Sequence, residues 1–298
     1  MHDPLSILLE RARVQTAFFS RALGAAPWGV ETRGAECGIF HVVVRGQATL
    51  RVSGEVHTLR AGEVVFMPHG PAHVLCHPPE AGATWIGALP REEAGLPTVT
   101  AGVGEPGTEI LCGTLRLGEL GRELVLAQLP AVLHARGPAL AGWVAALATD
   151  LETRPPGSDA VAACLGNLIF VLALREWAGA QRAPGSLAGL VHPEIGRALA
   201  SVQAAPGQDW SLERLARRSG LSRTVFCERF LHVVGEPPAA WVTRWRMVVA
   251  RELLAEGGRS IAAVAEAVGY ASEPAFQRAF KRTIGVPPAR WRKERRAA

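Results

Sequence analysis

Arginine, glutamine and glutamate side chains occur at matching places in two short stretches near the C-terminus. Arginine can pair with guanine O6 and N7, glutamine can pair with adenine, and glutamate can accept a hydrogen bond from cytosine N4. Lysine and arginine also bind phosphate without regard to base sequence. The first stretch offers Arg223, Thr224, Cys227, Glu228 and Arg229, and the second offers Ser272, Glu273, Gln277, Arg278, Lys281 and Arg282. These residue types predict two surfaces that contact double-stranded DNA.

Both stretches belong to a sequence pattern that the chain contains twice. Gly220 and Gly269 stand 49 residues apart, and Phe226 and Phe276 stand 50 residues apart. Each copy has the pattern of a helix, a short turn with glycine and a second helix. In a helix-turn-helix unit the second helix lies in the DNA major groove. The repeat therefore predicts two tandem helix-turn-helix units joined by a long helix over about residues 239–255.

The charge of the chain is unevenly distributed. Residues 192–298 contain 18 Lys and Arg against 10 Asp and Glu, whereas the remainder of the chain has a net charge of −3. A basic C-terminal third is typical of a nucleic-acid-binding module. A solvated surface with a bias toward arginine, or a helical protein–protein module, would have the same composition, so the repeat is the stronger indication.

The repeated region resembles the C-terminal domain of AraC/XylS-type bacterial transcription regulators over about residues 192–296. The residues that carry the resemblance are Ile261-Ala262, Val268-Gly269-Tyr270, Phe276, Arg278, Phe280-Lys281-Arg282 and Gly285-Val286-Pro287-Pro288. The resemblance implies seven helices and two recognition helices that enter successive segments of the major groove. One departure is Glu228, since the family usually has arginine there. Pro274 also falls in the first turn of the second recognition helix, where proline is tolerated.

The N-terminal part has the pattern of a β-domain from about Cys37 to Leu129. Short runs rich in β-branched residues alternate with turns, which is typical of a small barrel or sandwich. Gly62, Pro68, Gly70 and His73 have the spacing of the second cupin motif, and this resemblance implies a cupin-like barrel. Such a domain is a frequent sensing domain in AraC-type regulators, so we expect it to bind an effector, with His41 and His73 as ligand-binding residues.

The first cupin motif lacks its usual metal ligands, because Ile39 stands at the glutamate position. Cys37 and His41 nevertheless alternate onto one face of a predicted strand, together with Ile39. If that face is the interior, Cys37, His41, His73 and Cys112 could bind a zinc ion. The alternative is that the histidines hydrogen-bond each other, backbone or water and that the cysteines fill the core.

Residues 136–191 are predicted to be mainly helical. Runs over 140–151 and 159–178 are separated by a turn at residues 153–158, and a linker follows over residues 183–191. An apolar surface on the second helix favours packing on the barrel or on a second subunit, so a homodimer is expected. This surface is formed by Val161, Leu165, Leu168, Ile169, Leu172 and Trp177.

The sequence also bounds the class of protein. No uninterrupted run of about 18 apolar residues suggests a membrane span, and Met1-His2-Asp3-Pro4 does not begin a signal peptide. Five widely spaced cysteines indicate reduced thiols rather than a disulfide framework. A cytoplasmic protein is expected. No nucleophile elbow, phosphate-binding glycine loop or pair of catalytic carboxylates occurs, so the chain is predicted not to be an enzyme.

Together these features predict an α+β chain in three parts: a cupin-like β-barrel sensing domain (1–135), a helical dimerisation and linker region (136–191) and an all-α double helix-turn-helix domain (192–298). The predicted function is a transcription regulator, by resemblance an activator, that binds promoter DNA and RNA polymerase under control of an unidentified effector. The alternative is a cupin-type metal-dependent enzyme fused to a DNA-binding module.

Overall fold

The computed structural model describes residues 3–92, 96–180 and 184–297. The described residues form two compact units. One comprises the first ten residues together with the chain after Ala180, and the other comprises Arg11–Ala180. The predicted linker over 183–191 begins outside the described residues at Ala183, and its described part contains a helix over Ser186–Val191.

The unit formed by Arg11–Ala180 contains the β-strands. Twelve strands lie in its described residues: β1 (Gln15–Ala25), β2 (Trp28–Thr32), β3 (Gly38–Arg45), β4 (Gln47–Val52), β5 (Glu55–Arg60), β6 (Val64–Met67), β7 (His73–His77), β8 (Thr84–Trp85), β9 (Arg91–Glu92), β10 (Thr98–Gly102), β11 (Thr108–Arg116) and β12 (Leu133–Ala135). They pair in a seven-stranded sheet of order β12-β6-β3-β11-β1-β10-β9 and a five-stranded sheet of order β5-β4-β7-β2-β8.

The interior lies between these two mixed sheets. Side chains from both sheets fill it, among them Val43, Leu50, Leu59 and Ile110, which are fully buried. Within the described residues the strands pair in two sheets and do not close into a single ring, so the cupin-like domain is a sandwich of sheets here. The short predicted strands agree with β3 to β6, whereas β1 begins well before the predicted β-region.

The helices α3 (Pro138–Thr153) and α4 (Ser158–Ala180) pack against the larger sheet. This unit also contains α2 (Glu119–Leu124) and two short 3-10 helices at Ile86–Ala88 and Leu126–Gln128. The α4 helix packs against β1 and β12, and Phe170 contacts Phe66 in an edge-on arrangement with ring centroids 5.4 Å apart. Among the described helices α4 is long and apolar enough to span a membrane by length and composition. About two fifths of its apolar window, 39%, is buried.

The other unit is helical. It contains most of α1 (Pro4–Ala12), followed by α5 (Ser186–Val191), α6 (Ile195–Ala204), α7 (Leu212–Ser219), α8 (Arg223–Val234), α9 (Pro238–Glu256), α10 (Ile261–Ala267), α11 (Glu273–Ile284) and α12 (Pro288–Ala297). The seven helices α6–α12 in the described part of 192–298 agree with the number that the resemblance implies. The α1 and α5 helices were not predicted.

The turns of the two helix-turn-helix units have left-handed glycines. Gly220 ends α7 with φ of 73°, and Gly269 follows α10 with φ of 80°. This backbone conformation costs glycine little because it has no Cβ. Ser222 and Ser272 cap the two recognition helices, since their hydroxyl oxygens accept from the backbone N–H groups of Val225 and Ala275.

Candidate DNA interface and sensing site

The first recognition helix, α8, exposes a mixed surface. Phe226 and Phe230 are buried and hold the helix in the domain. Thr224 and Glu228 lie one turn apart on the exposed side. Cys227 is partly exposed beside them. The structure therefore brings the predicted contact residues of the first unit onto the accessible side of one helix.

Both arginines of α8 are paired with carboxylates. Arg223 Nη1 lies 3.1 Å from Glu213 Oε1, and Arg229 forms an ion pair with Glu194. The hydrogen bond from Arg229 lowers the pKa of the Glu194 carboxyl. These side chains are at least 30% exposed, so water screens both pairs and either arginine can exchange its partner for a phosphate.

The second recognition helix, α11, has a different surface. Gln277, Arg278, Lys281 and Arg282 are exposed, and Ser272 lies at the N-cap. Gln277 Nε2 donates to Glu273 Oε1 at 2.7 Å, which holds the amide along the helix. Within the described part of the chain no carboxylate pairs with the three cationic side chains, so they remain available to DNA.

A row of polar side chains crosses the interior of the sheet sandwich. Ser20 lies opposite Cys112 across β1 and β11, and Cys112 lies opposite His41 across β11 and β3. Thr32 and His73 form the facing pair on β2 and β7. All but the partly buried Thr32 are buried, and the side chains around the row are apolar. The two strongest sequence candidates for effector binding, His41 and His73, therefore meet in the core.

Cys112, His41 and His73 form a continuous chain of close polar contacts. Cys112 Sγ lies 3.1 Å from His41 Nδ1, and His41 Nε2 lies 2.8 Å from His73 Nε2. His73 Nδ1 lies 2.9 Å from the carbonyl oxygen of Pro71. That carbonyl only accepts, which assigns the proton of neutral His73 to Nδ1. His41 then donates from Nε2, and the Cys112 thiol donates to His41 Nδ1.

Burial keeps every member of this chain uncharged. It lowers the pKa of His41 well below the usual 6.5, with a smaller lowering from nearby His73. It also lowers the pKa of His73, against the opposing hydrogen bond to Pro71. The pKa of the Cys112 thiol is raised to about 12, again mainly by burial. The neutral forms are the ones that the hydrogen-bond chain requires.

The described residues do not form the zinc site that the sequence suggested. His41 uses its two ring nitrogens for two different partners, so His73 and Cys112 do not converge with it on one point. Cys37 precedes β3 and makes no hydrogen bond to the row in the described structure. No group of three or more His, Cys, Asp or Glu among the described residues is arranged to hold a metal ion. Zinc binding would also require Cys112 to lose its proton, and the raised pKa of this thiol opposes that.

Two members of the row, Ser20 and Thr32, were not found from the sequence. Thr32 Oγ1 lies 3.0 Å from His73 Nδ1 and donates to the His73 carbonyl oxygen at 3.2 Å. Ser20 follows a register shift between Phe18 and Ser20 in β1. That shift breaks the alternation from which an interior position is recognised. The one available signal was that Ser20 directly follows the apolar run Ala17-Phe18-Phe19.

Two family models match the chain. One, described as Cupin, matches residues 3–179, and the other, described as Helix-turn-helix domain, matches residues 215–294. A Streptomyces lividans protein that bears the name AraC-like transcription regulator is 30% identical, and the match covers 98% of each chain. The RCS-specific HTH-type transcriptional activator RclR of Escherichia coli K12 is 30% identical over 97% of each chain.

A solved structure is also similar over the C-terminal part. The DNA-binding domain of AdpA, in complex with a target DNA, is 29% identical with a TM-score of 0.34, and the match covers 36% of this chain and 96% of that chain.

Proposed function

The chain belongs to the AraC-like transcription regulators, with a cupin domain fused to a helix-turn-helix DNA-binding domain, and on this basis we propose that a signal sensed in the cupin domain controls promoter binding. The observation that carries the proposal is the neutral chain of Cys112, His41 and His73 in an otherwise apolar core. Buried polar groups with displaced pKa values are concentrated at functional sites. The enzyme alternative has no support from these relatives, which are named as regulators.

The proposed DNA contacts separate into base-reading and phosphate-binding residues. Arg278 is the candidate for a bidentate pair with guanine, and Lys281, one turn later in the same helix, is the candidate for phosphate. In a titration of full-length protein against operator and scrambled DNA at two salt concentrations, Arg278→Ala should weaken operator binding by about 1–3 kcal/mol and relax the sequence preference. Lys281→Ala should weaken binding to both DNAs similarly. Equal loss on both DNAs for Arg278→Ala would reject base reading.

The proposed sensing role can be tested while the signal is still unidentified. A reporter under the operator is assayed across a panel of small molecules and stress conditions in cells that contain wild type or His73→Asn. We expect one condition to induce the reporter in cells with wild type and not in cells with the variant. The two proteins should have equal levels and equal uninduced expression. Induction that survives in both His73→Asn and His41→Asn would contradict a role of the polar chain.

A homodimer through α4 is the proposed assembly. Val161, Cys164, Leu168 and Leu172 follow one side of this helix at helical spacing, and none of them is buried. In an antiparallel pair centred on Leu168, Val161 of one subunit faces the other subunit near Arg175. Leu168→Asp should convert the dimer into a monomer in sedimentation-velocity experiments. Val103→Asp, at an exposed loop position, is the matched control and should leave the dimer intact.

Activation through RNA polymerase in the cytoplasm completes the proposal. One of the relatives is named as an activator, which supports this direction of regulation. In transcription with purified polymerase, addition of the full-length protein should increase transcript from its operator-containing promoter. A decrease would assign a repressor.

A further inference from the structure

We propose that the two recognition helices read different base chemistry, with α8 selecting cytosine through Glu228 and α11 selecting guanine through Arg278. The inference rests on the DNA-binding function and specifies the bases that each unit takes. The operator is then asymmetric along its length, because its two halves present different hydrogen-bonding groups to one protein chain.

Among the acidic and arginine side chains of α8, Glu228 differs from the two arginines because it has no partner of opposite charge in the described residues. Arg223 and Arg229 each have a carboxylate partner, Glu213 and Glu194 respectively. Glu228 is exposed, and no hydrogen bond or ion pair to it occurs in the residues that the structure describes. Its carboxylate is therefore uncompensated on the exposed side of the helix.

A carboxylate on a major-groove surface is repelled by phosphates and by most base edges. Guanine presents two acceptors, N7 and O6, and thymine presents the acceptor O4, so neither can donate to Glu228. Adenine has a donor at N6, but its acceptor N7 lies next to that donor. Cytosine presents the N4 amino donor without an adjacent acceptor of its own. Cytosine is thus the base that a free carboxylate at this position accepts best.

The neighbours of Glu228 extend this preference to pyrimidines. Thr224 lies one turn before Glu228 toward the N-terminus, which is the end of a recognition helix that contacts bases. Val225 is 39% exposed beside Thr224 although it is apolar. The methyl groups of both side chains suit the C5-methyl group of thymine. The first half-site is therefore a cytosine with an adjacent thymine on the contacted strand.

The α11 helix has the opposite chemistry. Arg278 is exposed without a carboxylate partner among the described residues, and Lys281 and Arg282 follow it on the accessible side. An arginine fork pairs with guanine O6 and N7, and the two further cations are placed for phosphate. The second half-site therefore contains guanine at the position read by Arg278.

The test begins with selection of bound sequences from a random library of double-stranded DNA by the full-length protein. Affinities of wild type and Glu228→Gln are then measured for the selected DNA, for single base-pair changes in it and for scrambled DNA. Glu228→Gln should reduce discrimination at one C·G pair about tenfold, the size of an ordinary mismatch effect. The same variant should bind scrambled DNA more tightly, because a negative charge leaves the interface. Glu228→Arg should move the preference at that pair to guanine.

The matched control is Glu256→Gln, which removes the same charge from an exposed glutamate at the end of α9. It should change the affinities for selected and scrambled DNA by the same factor. If Glu228→Gln behaves like this control, or if the selected sequences have no fixed cytosine, base selection by Glu228 is overturned while DNA binding stands. Failure of the wild type to select any sequence would instead contradict DNA binding, and the inference with it.

Discussion

At the scale of single residues, the neutral state of His41 and His73 links the stability of the cupin domain to pH. Burial lowers the folded-state pKa of both histidines below the value of 6.5 found in the unfolded chain. The unfolded chain therefore binds more protons as the pH falls. The stability that this burial contributes is fully present above about pH 6.5 and is lost as the pH falls toward the folded-state pKa values.

We expect the thermal midpoint of the full-length protein, followed by the β-sheet signal in circular dichroism, to fall between pH 7 and pH 5. His41→Gln should lower the midpoint at pH 7 but reduce this pH dependence, since one titrating group is removed. The control is His232→Gln, at an exposed position of α8, which should keep the wild-type slope. An unchanged slope in His41→Gln would show that the folded and unfolded chains bind protons equally at His41, against the lowered pKa.

Cysteine reactivity should differ sharply along the chain. The pKa of the Cys112 thiol is raised to about 12, so only about one molecule in ten thousand has the reactive thiolate at pH 8. Cys227 is partly exposed on α8, away from the proposed α4 interface. In a time course with iodoacetamide followed by peptide mass spectrometry, Cys227 should be modified in the native protein and Cys112 only after unfolding. Comparable rates for the two would mean that the interior opens readily.

At the scale of elements, the close approach of α4 to β1 depends on Gly166. A Cβ atom there would lie 2.4 Å from Thr16 Oγ1 and 3.0 Å from Thr16 Cβ. Thr16 is buried and its hydroxyl donates to the Ala163 carbonyl oxygen, so making room for the new methyl group would disturb this hydrogen bond. Gly166→Ala should therefore lower the free energy of unfolding by about 1–3 kcal/mol in urea denaturation.

Gly179, in the last turn of the same helix, is the matched control. Nothing lies within 4 Å of a Cβ atom added at Gly179. Gly179→Ala should raise the free energy of unfolding by about 0.5 kcal/mol, because alanine loses less backbone entropy in a helix. Equal effects of the two substitutions would mean that the α4–β1 contact relaxes without cost.

The elements differ in how far the sequence determines them. The recognition helices could be predicted because serine caps, left-handed glycines and paired phenylalanines recur in both units. The β1 strand could not, since the bulge between Phe18 and Ser20 breaks its alternation and its parallel partner β10 is distant in sequence. Because β1 was not predicted, Ser20 could not be recognised as a member of the polar row. The zinc hypothesis failed because side-chain directions of His41 and Cys112 are set by tertiary packing.

At the scale of the whole molecule, the first helix belongs mainly with the DNA-binding unit. An added Cβ at Gly196 in α6 would lie 3.6 Å from Pro4 Cγ, and Leu5 is 6% exposed. We expect Leu5→Ala to speed amide hydrogen exchange in α6 while exchange in β3 and β4 stays unchanged. The control is Ser6→Ala, at a less buried position of the same helix, which should leave α6 closer to wild type. Faster exchange confined to the sheets would place α1 with the other unit.

The chain passes between the two compact units twice, after Glu10 and after Ala180. Exchange of sensors between two related genes therefore requires two crossover points rather than one. A single junction near residue 181 would leave the opening helix of one parent packed in the DNA-binding unit of the other. Hybrid regulators built by homologous recombination should thus regain full activity only when the first ten codons are inherited with the C-terminal part.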